Sequence, residues 1–390
     1  MSAVPNIHLD RLRDVALHPI GEKVRLGERL TAADAITLFR TADVLGLGHL
    51  ADAANHAKHG DVVTFASNQH INPTNVCVLR KTCVFCGYAR LPKEEGAYRY
   101  SLEQVLAEAA QATDSMTREF HIVGGLDMQA GLAYYTTMFR ALKAAHPQVH
   151  IKALTAVEIA HIARIEKMSW TDVLIALREA GLDTMPGGGA ETFSAAVRDV
   201  IADKKLGGAD YINVHHAAHE LGIRTNCTML YGHVETIEDR VEHLTMLRDL
   251  QDVTGGFLAY IPLAYHPDDN ELGVTLGRQG TSTTGMDDLR NLAVGRLFLD
   301  NISHIKSHWI MVSPSLTQIS LAFGVNDIEG TVVREKIYHA VGATTKQGMT
   351  LDELLRLIRG AGKQPAERDS FYRILRSFDD APADVVGAAA

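Results

Sequence analysis

The sequence predicts an α/β protein built on one TIM-type (β/α) barrel, with helical extensions at its N- and C-terminal ends. Two observations carry this. Short apolar runs recur along the middle of the chain, each followed by a glycine or polar turn and then a helix-period segment. Strand–helix alternation of this kind implies parallel strands joined by helical crossovers. In addition, residue types able to do chemistry follow the runs, and parallel barrels place their chemistry on loops leaving strand C-termini.

Residues 9–59 read as helical: Thr31–Ala57 is rich in Ala and Leu, with apolar residues three and four apart, and Ala51–Ala57 is its best helix former. The strand-like runs are Val62–Ala66, Phe120–Val123, Val149–Leu154, Leu182–Met185, Ile223–Leu230, Phe257–Ile261 and His308–Val312, with an eighth near Phe323–Ile328. The helical segments between them include Leu102–Ala112, Ala133–Ala145, Trp170–Glu179, Ala209–Leu221 and Thr236–Leu250. Asp352–Gly360 and Glu367–Phe378 read as terminal helices, and the Ala- and Asp-rich end, Asp379–Ala390, is expected to fray. No Pro/Gly/Ser linker divides the chain, so the expected layout is an extension over 1–60, a barrel over 61–330 and a second extension over 331–390.

Composition excludes several classes. Of 390 residues, 46% are apolar and 22% charged, near the average for a globular protein and unlike a disordered, collagenous or coiled-coil chain. A net charge of −9 argues against a nucleic-acid partner. No uninterrupted apolar stretch of about 18 residues is present, so no membrane span is expected. Met1–Asp14 lacks the apolar core of a secretory signal. Four cysteines exclude a disulfide scaffold and suit a reducing cytoplasm.

Three of those cysteines lie within ten residues, Cys77, Cys83 and Cys86, in the loop after the first strand-like run. Three thiolates in one loop can hold a metal centre. Zinc would need Cys227 or a histidine as fourth ligand. A [4Fe–4S] cluster held by three cysteines would keep one iron open for a chelating molecule. Spacing alone does not choose between them. Cys227 sits in an apolar run and reads first as a small buried hydrophobe.

Five groups follow the runs in register: Gly124–Gly125, Thr155 with Glu158, Pro186–Gly189, Tyr231–His233 and Leu263–Pro267. Each taken alone reads as an ordinary turn; together they point to a site. Glu158 stands where a helix N-terminal acid would complement the dipole. Pro186–Gly189 is either a turn or a nest of N–H groups, and lacks dinucleotide-fingerprint spacing. His215 and His219 are four apart, but no glutamate sits as in His-Glu-x-x-His.

The cysteine segment, Asn72-Pro-Thr-Asn-Val-Cys77 through Cys83-Val-Phe-Cys86, resembles the radical S-adenosylmethionine (SAM) superfamily, and within it the aminofutalosine synthase family of menaquinone biosynthesis. The resemblance runs from about Thr64 to Arg376. Its most distinctive stretches are His121-Ile-Val-Gly-Gly125, Lys152-Ala-Leu-Thr-Ala-Val-Glu158, Asp183-Thr-Met-Pro-Gly-Gly-Gly-Ala-Glu191, Thr228-Met-Leu-Tyr-Gly-His-Val-Glu-Thr236, Tyr260-Ile-Pro-Leu-Ala-Tyr-His-Pro267, Leu299-Asp-Asn-Ile-Ser-His-Ile-Lys306 and Pro365-Ala-Glu-Arg-Asp369. The superfamily's usual spacing is Cys-x3-Cys-x2-Cys; here two further residues separate Cys77 from Cys83, an insertion a loop can absorb.

The resemblance implies a [4Fe–4S] cluster on Cys77, Cys83 and Cys86, with SAM on the open iron. Phe85 would pack near the adenine, Gly124 and Gly125 would meet the methionyl ammonium, and Glu158 would bind the ribose or ammonium. The implied reaction adds a 5′-deoxyadenosyl radical to 3-[(1-carboxyvinyl)oxy]benzoate. Rearrangement and loss of a carboxylate then give aminofutalosine. An unidentified one-electron donor such as flavodoxin or ferredoxin is also implied. Two substrate carboxylates need cationic or donor partners. The expected ones are His266, His233, Arg296 and Lys306, with His266 foremost and the two histidines as catalytic residues. The competing readings are a dehypoxanthine futalosine cyclase, which typically has tryptophan and glutamine where this chain has Ile261–Pro267, and a zinc-stabilised barrel without catalysis.

Overall fold

The structure, a computed structural model, describes residue 4 and residues 7–111, 117–280 and 282–378. The expected fraying of Asp379–Ala390 lies outside the described residues. The N-terminal segment is helical, as its composition predicts, with helices His18–Leu26, Ala32–Arg40 and Val44–His59. Thr31 and Asp34 form a reciprocal capping box, and Asp43 accepts from the Gly46 N–H. Val44–His59 buries Leu47, Leu50, Ala51 and Ala54, and it packs on the helix Gly285–Phe298.

Among the described residues eleven strands follow: β1 Val62–Phe65, β2 Asn68–Ile71, β3 Glu119–Ile122, β4 His150–Ala153, β5 Thr184–Met185, β6 Arg224–Tyr231, β7 Phe257–Ala264, β8 His304–Ser307, β9 Asp327–Ile328, β10 Gln364–Arg368 and β11 Ile374–Ser377. They form one curled sheet in the order β11-β10-β1-β9-β8-β7-β6-β5-β4-β3-β2. Neighbours from β2 to β9 are parallel. Just past β9 the chain returns to β2: Gln69 and Val333 form a parallel bridge, and the His70 N–H donates to Val333 O at 3.0 Å. That contact brings the ends of the eight-strand run together. One continuous apolar cluster joins the N-terminal helices, the barrel helices and the C-terminal helix Leu351–Gly360. Among the described residues no helix is long and apolar enough to cross a membrane.

Three expectations need correction. The strand Asn68–Ile71 has no apolar signature because three of its four residues are polar, yet all four are buried; the cysteine loop therefore follows β2, and not the run Val62–Ala66. His308–Val312 is not a strand. Trp309–Val312 is a short helix, and the strand is His304–Ser307, whose Lys306 interrupts the apolar pattern. Glu367–Phe378 is not a helix but the end of β10 and the antiparallel β11. The reason is long-range pairing. Buried Arg368 grips Asp327 at 2.6 and 2.8 Å, and buried Glu367 accepts from Ser67 and Arg118. Such pairs override local helix propensity.

Candidate functional site

A cavity of about 300 Å³ opens at the C-terminal ends of the barrel strands. The cysteine loop, Gly124–Gly125 after β3, Thr155–Glu158 after β4, Pro186–Gly189 after β5 and His308 after β8 all line it.

The cysteine loop is pinned before it turns. Asn72 donates to Val123 O at 2.9 Å, and Asn75 exchanges hydrogen bonds with Gly96 O and the Tyr98 N–H. Short turns then absorb the two additional residues: the Arg80 N–H donates to Cys77 O, and the Thr82 and Cys83 N–H groups to Leu79 O. Beyond them Cys83 bridges to Ala202. Cys77, Cys83 and Cys86 all face the cavity. Burial pushes the Cys77 thiol up and that of Cys83 to about 12, with Lys205 opposing. Thiols so placed ionise only with nearby positive charge, which bound iron supplies. Cys227 is elsewhere: its fully buried Sγ lies 3.6 Å from Ala259 O. A zinc site drawing its fourth ligand from Cys227 is therefore not laid out. Among the described residues, no three His, Cys, Asp or Glu side chains are placed for a single metal ion. Three thiols of one loop facing a cavity suit a multi-iron cluster held at three corners.

Gly124 and Gly125 are small because the cysteine loop passes against them. A Cβ on Gly125 would lie 2.2 Å from Val76 O, and one on Gly124 2.8 Å from Thr74 O. Glu158 is the N-terminal acid of a helix and also reaches the cavity. It forms a capping box with Thr155 at the start of the helix Ala156–Glu166, and its carboxylate accepts from the Gly124 N–H at 2.9 Å while lining the cavity. Burial pushes its carboxyl up to about 7, against the pull of the Thr155 and Gly124 donors. Phe85 lines the same space, with Lys205 Nζ 5.3 Å from its ring centre. Lys205 in turn is hydrogen-bonded to Glu191.

Of the four residues expected to meet substrate carboxylates, the structure brings only Lys306 to the cavity. Its Nζ lies 3.2 Å from Glu329 and 3.4 Å from Asp327. Burial disfavours its charge, but those two carboxylates more than reverse this and hold its pKa up. Arg296 is pinned at the opposite end of the barrel, donating to Gly324 O, Ser303 O and Asn326 Oδ1 beside the starts of β8 and β9. His233 is buried against Glu235 at 3.0 Å and Leu230 O at 3.1 Å. His266 sits 3.2 Å from Met311 O, behind Tyr338, whose ring forms the wall. Charge and chain position point to these three, and both are blind to side-chain direction.

Sequence reasoning missed His70, His121, Lys152, Asn226, His308, Glu329 and Glu335, which also line the cavity. A signal existed. Polar residues alternate with apolar ones inside strands, as in Glu119/His121 and His304/Lys306, and period two puts alternate residues on the barrel interior. His70, His121 and Lys152 are direct neighbours across β2, β3 and β4.

Comparison with known proteins agrees with this geometry. The family model described as the radical SAM superfamily matches residues 71–247, and that of the CofH/MqnC C-terminal region matches 254–380. The chain is 46% identical over 368 residues to aminodeoxyfutalosine synthase of Thermus thermophilus, covering 94% of this chain and 98% of that one. It is 42% identical to the enzyme of that name from Streptomyces coelicolor, covering 92% and 94%. Cyclic dehypoxanthine futalosine synthase of Streptomyces coelicolor is more distant, at 35% over 95% of this chain and 92% of that one. Among solved structures, methylornithine synthase superposes with a TM-score of 0.71 at 17% identity, covering 89% of this chain and 97% of that one, which speaks to fold alone. With three thiols at one cavity and this degree of likeness along nearly its whole length, the chain belongs to the aminodeoxyfutalosine synthase family of the radical SAM superfamily.

Proposed function

We propose that the chain is a radical SAM transferase. It joins the 5′-deoxyadenosyl group to 3-[(1-carboxyvinyl)oxy]benzoate, with rearrangement and loss of one carboxylate, to give aminofutalosine and methionine in menaquinone biosynthesis. The observation that carries the reading is near-full-length likeness to aminodeoxyfutalosine synthases in a chain whose cysteine trio faces the barrel cavity.

When bound, the cluster and SAM supply a one-electron cleavage that yields methionine and a 5′-deoxyadenosyl radical. Cys77, Cys83 and Cys86 would hold the cluster. Gly124 and Gly125 bring the backbone close, and the Glu158 carboxylate beside them is an acceptor for the cationic end of SAM. Phe85 offers a face for the adenine. Val123, Leu126, Val157, Ile261 and Leu263 form the apolar part of the wall and keep water from the reacting carbon. Lys306 remains the expected cation from sequence that faces the substrate space. The one-electron donor is a protein such as flavodoxin or ferredoxin. The setting is a reducing cytoplasm, which the unpaired thiols favour.

The test is a single-turnover assay under strict anaerobic conditions with reconstituted protein, dithionite, SAM and the enolpyruvyl benzoate. The expected product retains adenosine within the adduct. Release of free 5′-deoxyadenosine alone would sink the assignment and favour the cyclase-like alternative.

A further inference from the structure

Below the cysteine loop the cavity has a polar wall, and its charged groups already have partners. Lys152 Nζ lies 2.7 Å from Glu119, and Lys306 is held between Glu329 and Asp327. Glu335 accepts from the Ile337 and Tyr338 N–H groups at 2.6 and 2.8 Å. Three imidazoles in the same wall differ. His70 from β2, His121 from β3 and His308 after β8 all line the cavity. His70 Nε2 and His308 Nδ1 are sealed from solvent with no hydrogen-bond partner. His121 stacks on His70, with ring centres 4.6 Å apart at 17°. Among the described residues its ring also makes no hydrogen bond. His70 and His308 thus each keep a buried ring nitrogen without a partner beside the cavity, and imidazoles left short of hydrogen bonds at a cavity wall ask for a ligand that supplies them.

We infer that His70, His121 and His308 form a carboxylate-binding subsite for the aromatic dicarboxylate, donating ring N–H groups to one of its carboxylates in front of Lys152 and Lys306. This rests on the substrate proposed above. Each neutral imidazole carries one N–H donor, and a carboxylate offers about four lone-pair positions, so one carboxylate can satisfy all three rings. A metal ion is the lesser fit, because no three ligating side chains are placed for one among the described residues. The lysines contribute potential from behind, while their own protons stay with Glu119, Glu329 and Asp327.

The experiment measures binding of the diacid and of its two monomethyl esters to the anaerobically reconstituted holoenzyme with SAM, without reductant. His70→Phe and His308→Phe are expected to weaken diacid binding roughly tenfold each, as loss of a hydrogen bond to a charged group does. At least one monoester should be bound equally by wild type and these variants, because it lacks the carboxylate the rings would meet. His308→Gln, which keeps an N–H donor, is expected to recover most of the affinity. Cluster absorbance and SAM binding report that the variants are folded. Unchanged diacid affinity in both Phe variants, or an equal loss for the diacid and both esters, overturns the subsite. Should a variant fail to load its cluster, the wild-type comparison decides: two esters that bind as well as the diacid overturn it. Intact aminofutalosine formation alongside such results leaves the proposed function standing, whereas a wild-type holoenzyme that does not bind the diacid overturns both.

Discussion

Cys77, Cys83 and Cys86 share one cavity, while Cys227 is enclosed within β6. Replacing any of the first three with Ala should abolish the brown colour of anaerobically reconstituted protein. Cys227→Ala should keep the colour and cost about 1 kcal/mol of stability, the usual size of a small core truncation. A colourless Cys227 variant would mean that a fourth thiol is needed. Glu158 carries a second prediction. Burial raises its carboxyl from 4.5 to about 7, so between those values the folded, ligand-free chain holds a proton that the unfolded chain has released. Its contribution to stability is present at acid pH and is lost as pH rises through about 7. Denaturation of wild type and Glu158→Gln across this window should show their stability difference shifting against wild type as pH rises. A constant difference would show that Glu158 does not titrate there. The cysteines were legible because their spacing is a local property. The cations were not, because Arg296 and Lys306 look alike in sequence and differ only in which end of the barrel they reach.

At the scale of elements, the legible helices were those with caps and an apolar stripe, such as the helix Leu102–Ala110 with its Ser101–Gln104 capping box. The illegible strands were those whose stability comes from partners far along the chain. β10 is the clearest: its Arg368 is buried against Asp327 on β9, and Lys306 is the other cation near that carboxylate. Arg368→Ala is expected to cost about 3–5 kcal/mol, because it strands a buried carboxylate. Chemical denaturation measures this, and a loss below about 1 kcal/mol would show that Lys306 alone compensates Asp327. β2 was missed for the opposite reason. Its Asn68, Gln69 and His70 are polar, and strand patterns are read from apolar residues; yet a small barrel's interior can be polar where it meets a ligand.

For the whole molecule, the helices before residue 60 share one apolar core with the barrel. Leu47, Leu50 and Phe323 belong to the same buried apolar cluster as the barrel helices, and a Cβ on Gly48 would strike the Phe323 ring at 2.6 Å. A chain begun at residue 61 would expose that face, so it should aggregate or lose its cooperative transition in calorimetry. A monomeric 61–390 fragment that binds its cluster would show the extension to be dispensable. The closure of the barrel likewise depends on distant segments, since Val333 reaches β2 only after the whole strand series is laid down.

By itself the sequence determined the cysteine trio, the glycine and glutamate turns beside it, the alternating strand–helix order and the family, because each is written in neighbouring residues. Tertiary structure decided which polar side chains meet in the cavity and that the C-terminal segment is a strand pair. Both depend on sheet register and on contacts such as Ser370 to Glu119, 251 residues apart. Local spacing carries no information about which way a strand's alternate side chains face until its neighbours are in place.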